Sequence, residues 1–299
     1  MDRFLEMQVY AAVVEAGSFT GGAHALAMSK AAVSRYVAEL EERLGLRLLH
    51  RTTRKLAPTT EGEIFYARCR ELLDNLDEAE AEITSRSGEA TGLLKVNVPV
   101  TFGLMHLAPL WPAFLARHPK LAIDITLSDR VADLVEEGYD IAVRIGQLPA
   151  SSLIARKLAS TRMVPCASPA YLARRGTPAH PDDLPHHDVI SYSLFASGEN
   201  WTFTGPDGEV TVKVAPRVRT NSGDTCRAAA LLDQGIILQP TFIVGADLAQ
   251  GTLAEILPGY RAGELGIHAV YPSRKFVSPK VRLLIDFLVE AFAAPVWER

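Results

Sequence analysis

Between residues 29 and 45 the apolar positions fall on one side of a helix. Val33, Val37, Leu40 and Leu44 are spaced four, three and four, which predicts one buried stripe, and Gly45 follows as a natural stop. Upstream, a first amphipathic helix spans roughly Asp2 to Ala16 and stops at Gly17. A short second helix, capped by Ser18 or Thr20, reaches about Ala27. Three short helices with tight turns between them, the third amphipathic, predict a helix-turn-helix. Further on, Phe65, Cys69, Leu72, Leu76, Ala79 and Ile83 recur at alternating steps of four and three. That is the 3.5-residue period of a two-stranded coiled coil, with a helix lying on its own C-terminal domain as the other arrangement that fits. Thr60 with Glu63 reads as a capping box at its start, and residues 85–92 as a flexible exit.

From Leu93 the pattern changes. Short apolar runs alternate with helical segments: LLKVNVP, a stretch near Gly103–Arg117, LAIDITL, DRVADLVEEG and DIAVRIG. This β-α-β-α-β rhythm predicts a parallel sheet with crossover helices. A second unit follows Leu158, with RMVPCASP, a helix from Ala170, VISY, WTF and VTVKVAPRV, a helix at Cys226–Gln234 and the strand GIILQ. The chain returns through GIHAVYP to a terminal helix, Pro279–Ala293.

Composition changes this picture little. A chain of 299 residues carries two or three domains, and no apolar run approaches the ~20 residues of a membrane span. The acid-bearing first helix is unlike a secretion signal, so a cytoplasmic protein is expected. Cys69, Cys166 and Cys226 form no C-x-x-C pattern and read as reduced thiols. The net charge of −4 does not advertise a nucleic-acid binder, but its distribution is informative. Seven lysines and arginines stand against three acids from Ser29 to Lys55; from Glu61 to Glu89 nine acids face three arginines.

That basic patch coincides with candidate chemistry. Ala31, Ser34, Arg35 and Ala38 share one side of the third helix, where small residues allow close approach to a surface. Ser29, Lys30, Ser34 and Arg35 supply donors at its leading end, the part of such a helix that enters the DNA major groove. Taken alone, a solvated face with two cations is the better reading of these residues. Directly afterwards, residues 47–58 read as strand-turn-strand with Arg51, Thr53, Arg54 and Lys55 about the tip, a wing suited to phosphates or the minor groove.

Here a resemblance becomes specific. VVEAGSFTGGAHALAMSKAAVSRYVAELEERLGLRLLHRTTRKLAPTTEG resembles the winged helix-turn-helix of the LysR-type transcriptional regulators almost throughout. DLVEEGYDIAVRIG, RKLAS, ASPAYLARRGTPAHPDDLPHHD and VRLLIDFL are similar to that family's effector-binding domain, so the likeness covers essentially the whole chain. Gly21-Gly22 departs from the alanines usual there, and two glycines loosen a helix by about 1 kcal/mol each relative to alanine.

The resemblance implies an α/β protein with an α-rich winged helix-turn-helix domain at 1–60 and a dimerisation helix and hinge at 61–91. A two-lobed α/β effector domain, like the type 2 periplasmic binding proteins, is then expected at 92–299. Lobe I would take about 92–162 plus 268–299, and lobe II about 163–267. A ligand belongs at the strand C-termini. Val100, Thr101 and Phe102 follow the first strand, where free N–H groups and the Thr101 hydroxyl suit a carboxylate. Ser128 follows the second strand and Arg144 ends the third; Asn221-Ser222 opens a helix and Gln239-Pro240 ends a strand. Thr101, Ser128 and the Asn221-Ser222 region fall where the family contacts effectors. Plain helix capping accounts for each as well, and Arg144 could pair with Asp129 or Asp140. Phe102, Phe195 and Trp201 read as an aromatic wall or as core.

Catalytic readings find little support. His180, His186 and His187 lie near Asp182, Asp183 and Asp188, but Pro181 and Pro185 make this an irregular surface stretch rather than a metal site. The chain has no G-x-S-x-G, no H-E-x-x-H and no glycine-rich phosphate loop. Three classes stay in view: a DNA-binding regulator, a small-molecule sensor without DNA binding, and an enzyme. The first is expected, with no cofactor, metal or catalytic residue, in the cytoplasm at the nucleoid. Its expected partners are double-stranded promoter DNA, a small anionic or aromatic effector, further copies of itself as dimer or tetramer, and RNA polymerase.

Overall fold

Side-chain caps set the helix starts. The Asp2 carboxylate accepts the N–H groups of Phe4 and Leu5 at 2.9 and 3.3 Å, opening α1 (Arg3–Glu15). Ser18 caps α2 (Phe19–Ala25) through Gly21 N–H at 3.0 Å, and Ser29 caps α3 (Lys30–Leu44) through Ala32 N–H at 3.2 Å. Gly45 closes α3 with φ +67°, a left-handed turn that favours glycine. This computed structural model describes residues 2–51, 56–84, 90–148, 153–272 and 277–298. The chain divides into two units, Met1–Gly88 and Glu89–Arg299, a boundary a few residues ahead of the expected one.

In the first unit, the predicted stripe of α3 is core: Val33, Val37 and Leu40 are fully buried with Val9, Tyr10 and Val13 of α1. Burial of each such side chain stabilises by about 1.5–3 kcal/mol. Strands β1 (Leu49–Arg51) and β2 (Leu56–Pro58) pair antiparallel as the wing. Glu41 ties α3 to that wing: its Oε1 accepts the N–H of Leu48 and Leu49 at 2.9 and 3.2 Å, and its Oε2 takes Arg47 at 2.9 Å. Helix α4 (Thr60–Thr84) is capped one residue earlier than expected, by Thr59 rather than Thr60. The Thr59 hydroxyl accepts Gly62 N–H at 3.0 Å and donates to Arg47 C=O at 2.8 Å.

Gly21 and Gly22 do something other than loosen α2. A Cβ on Gly22 would stand 2.8 Å from Val13 Cγ2 and 3.0 Å from Val13 Cα; one on Gly21 would stand 2.7 Å from Ala16 Cβ. The pair lets α2 lie directly on α1. Gly22→Ala is therefore expected to lower the stability of this unit by about 1–2 kcal/mol, overpacking outweighing the propensity gain. Urea unfolding followed by amide exchange in α1 and α2 checks this; a more protected variant would contradict it.

The 3.5-residue seam of α4 has two fates. Phe65 packs against Tyr10 with ring centroids 5.7 Å apart, and Cys69 is fully buried in the same core. These two therefore serve their own domain, a correction to the coiled-coil reading of the whole seam. Leu72 and Leu76 are exposed, at 49% and 37%. The side chains of Ala79 and Ile83 lie outside the described residues.

The second unit is built on a nine-stranded mixed sheet with helices on its faces, beside a separate two-stranded hairpin. Its elements in chain order begin with β3 (Gly92–Val98), then α5 (Val100–Phe102), which continues through a π turn at Gly103–Leu107 and a 3-10 turn into α6 (Trp111–Arg117). Then come β4 (Leu121–Leu127), β5 (Ile141–Ile145), β6 (Leu153–Ala167), α7 (Pro169–Arg175) and β7 (Val189–Tyr192). A hairpin of β8 (Asn200–Gly205) and β9 (Gly208–Lys213) precedes β10 (Pro216–Thr220), α8 (Gly223–Leu231), β11 (Ile236–Pro240) and α9 (Thr241–Gln250). Strands β12 (Ala254–Glu255) and β13 (Glu264–Pro272) lead to α10 (Pro279–Ala291).

The strand order is β10-β7-β11-β6-β13-β5-β3-β4, with β12 on β6. Strand β6 is the spine. Its first part, to Arg162, pairs with β13, and Met163–Ala167 pairs with β11 and β12, so the chain crosses between lobes near 162. Because all of β13 pairs within lobe I, the return crossing falls at about 263 rather than 267. One apolar core runs through both lobes, from Leu94, Val96 and Phe114 to Ile190, Ile237 and Phe242. A second, around Tyr171, Trp201 and Phe203, belongs to lobe II.

One expected crossover helix is absent: residues 131–133 are irregular and 134–138 form turns. Asp133 Oδ1 captures the N–H of Val135 and Glu136 at 3.0 and 3.1 Å, and Val131 and Val135 stay exposed. Without a buried stripe the segment gains nothing from a full helix.

Candidate functional site

The exposed side of α3 carries the residues expected to read DNA. Lys30, Ala31 and Arg35 are exposed and Ser34 is half-buried, all clear of the core stripe. Among the described residues Arg35 makes an (i, i+4) ion pair with Glu39 at 3.7 Å and lies over the Tyr36 ring at 5.3 Å. Its guanidinium is thus held loosely, at 64% exposure. The Ser29 hydroxyl is committed as the cap of α3, which leaves it a positioning part in the folded chain. The backbone of Arg51 ends β1, while its side chain and the wing-tip residues Thr53, Arg54 and Lys55 lie outside the described residues.

In the second unit the strand ends bring some expected residues together and send others elsewhere. The Thr101 hydroxyl, from lobe I, donates to Asp224 Oδ2 of lobe II at 2.7 Å. Gln239 is 98% buried, and its Oε1 would lie 3.3 Å from a Cβ placed on Gly223, with Thr101 Oγ1 at 3.7 Å. Its Nε2 has no partner among the described residues. Ser222 caps α8 by accepting Thr225 N–H at 3.2 Å, Asn221 beside it is exposed, and the half-buried Ser128 accepts Arg130 N–H at 3.2 Å. Thr101, Gln239 and the start of α8 thus meet between the lobes, with Ser128 on lobe I.

Four expectations are corrected here. The Val100 N–H, read as free for an anion, donates to Asp129 Oδ1 at 3.0 Å, so the chain's own carboxylate fills that position. Phe102, taken as a ligand contact, is fully buried in an aromatic cluster with Phe242, Phe292 and Trp297, at centroid distances of 5.3–5.6 Å; Trp201 is core, one of its two expected places. Pro240 is buried and opens α9. Arg144 pairs with neither Asp129 nor Asp140: it donates to Asn97 Oδ1 at 2.6 Å and to Ala132 C=O at 3.4 Å, while Asp140 takes Lys280 at 3.0 Å.

Residues not singled out as ligand contacts lie close by. Burial lifts the Asp129 pKa, the Val100 N–H opposes this, and the nearby Asp224 charge lifts it further. Tyr192, at the end of β7, is pushed up to about 12 by burial and then by the Asp129 charge. Carboxylates at strand and helix ends carry no periodicity; their place at a strand C-terminus was the available signal.

The other titratable clusters are structural. His180 Nδ1 accepts Asp182 N–H at 3.2 Å, Asp183 accepts the N–H of Ala179 and His180, and His187 meets the Tyr171 hydroxyl at 3.2 Å. All three cysteines are buried; burial pushes Cys69 up to about 12 and Cys226 up to about 11, which keeps them poor nucleophiles near neutral pH.

Comparison with known proteins joins the two units. Residues 4–63 match the bacterial regulatory helix-turn-helix protein, lysR family, and residues 87–293 match the LysR substrate binding domain. An uncharacterised HTH-type transcriptional regulator of Haemophilus influenzae is 41% identical over 94% of this chain and 98% of its own length. The structure of CrgA, a LysR-type transcriptional regulator from Neisseria meningitidis, superposes with a TM-score of 0.63 at 36% identity, covering 96% of this chain and 98% of that one. Full-length AphB of Vibrio cholerae, a virulence activator, gives 0.61 at 30% identity, covering 97% and 99%. A sensor lacking a DNA-binding domain, and an enzyme, are both disfavoured by these matches. The chain belongs to the LysR-type family of transcriptional regulators, a DNA-binding helix-turn-helix domain ahead of an effector-binding domain.

Proposed function

We propose that two copies of the chain, joined along α4, bind a dyad-symmetric promoter site with α3 in the major groove and the wing against the flanking backbone. The observation that carries this is the exposed side of α3, where Lys30, Ala31, Ser34 and Arg35 stand opposite a fully buried stripe. Leu72 and Leu76, exposed in one copy, supply the apolar contact for pairing, and Ala79 and Ile83 continue their spacing. Two-fold symmetry in the protein then requires half-sites about one helical turn, or a multiple of it, apart.

The regulatory ligand is a small organic molecule seated among Thr101, Ser128, Asn221-Ser222 and Gln239. It acts by population shift, favouring one arrangement of the lobes and with it one spacing of the reading heads, as a dimer or as a tetramer. RNA polymerase is the partner through which promoter binding reaches transcription, in the cytoplasm at the nucleoid.

Titration of the full chain against a dyad-symmetric duplex and a scrambled one, across a salt series, tests the reading. Specific binding about 10³-fold tighter than non-specific, weakening steeply with salt, is expected. A monomer with equal affinity for both duplexes would overturn it.

A further inference from the structure

We propose that the inter-lobe site takes a ligand bearing a protonated amine beside a hydrogen-bond acceptor, the amine lying between Asp129 and Asp224 and the acceptor meeting the Gln239 amide. This rests on the effector-site reading above and gives the ligand its chemistry. Adjacent residues of lobe I hold the two acids: Val100 N–H binds Asp129 Oδ1 at 3.0 Å, and the Thr101 hydroxyl binds Asp224 Oδ2 at 2.7 Å. The second oxygen of each has no protein hydrogen bond among the described residues, and neither acid has an ion-pair partner there. Arg227, one turn along α8 from Asp224, is committed to Asp247 through contacts of 2.5 and 2.7 Å.

Burial, and after it the Asp224 charge, raise the pKa of Asp129, whose carboxylate has no ion-pair partner among the described residues, while the Asp224 charge is also felt by Arg227. A cationic group placed there relieves the repulsion and gains charge-assisted hydrogen bonds. The second observation is independent of the acids. Gln239 is 98% buried, its Nε2 donor has no partner among the described residues, and its Oε1 lies against Gly223, the chain neighbour of Asp224. A buried amide N–H without an acceptor is costly, and a carbonyl or hydroxyl oxygen on the ligand satisfies it. An anion at this position would face both carboxylates.

Three isosteric probes separate the possibilities on the full chain: glycinamide (ammonium and carbonyl), glycolamide (neutral) and glycolate (anion). Ligand-observed NMR titration at constant ionic strength and pH 7, carried up to about 0.1 M as suits ligands this small, gives the three apparent affinities. Glycinamide is expected to bind about tenfold or more tighter than glycolamide, with glycolate weakest. The preference should vanish in Asp129→Asn and Asp224→Asn, near-isosteric changes whose folding is checked by thermal melting. Glycolate binding as tightly as glycinamide, a preference that survives in both variants, or no detectable binding of any probe overturns the proposal. DNA binding is scored separately on the dyad duplex. A chain that holds DNA specifically but prefers glycolate keeps its regulatory reading and loses this one.

Discussion

An Arg35→Ala, Arg54→Ala double variant is expected to bind the dyad duplex about 10³-fold more weakly than the natural chain. Each cation occurs twice in a dimer, and a cation contacting a base or phosphate contributes about 1–3 kcal/mol. The slope of log affinity against log salt should flatten by about two or more, one increment for each lost phosphate contact. Folding should hardly change: Arg35 is 64% exposed and its 3.7 Å pair with Glu39 is a surface contact of the kind that contributes under about 1 kcal/mol. That separation of binding from folding is why Arg35 is the informative position and Ser29 is not, since the Ser29 hydroxyl caps α3 and its removal would weaken the helix itself. Arg35→Lys sharpens the result. It keeps the charge but loses the planar fork, so it should retain non-specific affinity and lose discrimination between duplexes. Unchanged affinity and salt slope in the double variant would remove α3 and the wing from the interface.

How much of this was legible beforehand follows from what periodicity can carry. The α3 stripe was, because Val33, Val37 and Leu40 lie on one helical face and every one of them is buried. The α4 seam was legible as a stripe but not as to its partner. The same spacing sends Phe65 and Cys69 into the core beside Tyr10 and leaves Leu72 and Leu76 outside. Of strand β6 only the part from Arg162 was legible, because Ile154 to Lys157 are exposed and carry no apolar run. At Gly21-Gly22 local propensity pointed to looseness, whereas the structure uses the missing side chains for close packing on Val13 and Ala16. The Asp129–Val100 and Thr101–Asp224 contacts were out of reach, since the second joins residues 123 positions apart.

Replacing Arg43 by leucine is expected to destabilise the N-terminal unit by about 3 kcal/mol or more, the cost of leaving a buried carboxylate unpaired. Glu6 of α1 has no exposed surface, its Oε2 takes Arg43 Nε at 2.9 Å and Nη2 at 2.5 Å, and its Oε1 has no partner among the described residues. A small domain is stable by only about 5–15 kcal/mol, so the loss should appear as a lower-temperature transition and faster amide exchange in α1 and α3. The double replacement Glu6→Leu, Arg43→Leu removes both charges and should recover most of the loss, because an apolar pair of similar volume often matches a buried ion pair. DNA binding then discriminates between two uses of the pair. Recovery of stability and DNA affinity together would make it a simple fastener. Recovery of stability without affinity would mean that the ion pair sets the angle at which α1 presents α3, a specificity device placed at the far end of the reading helix from Lys30 and Arg35. Single-variant stability within about 0.5 kcal/mol of the natural chain would show that Glu6 finds another partner or a proton, and would end the idea that this buried charge governs the domain.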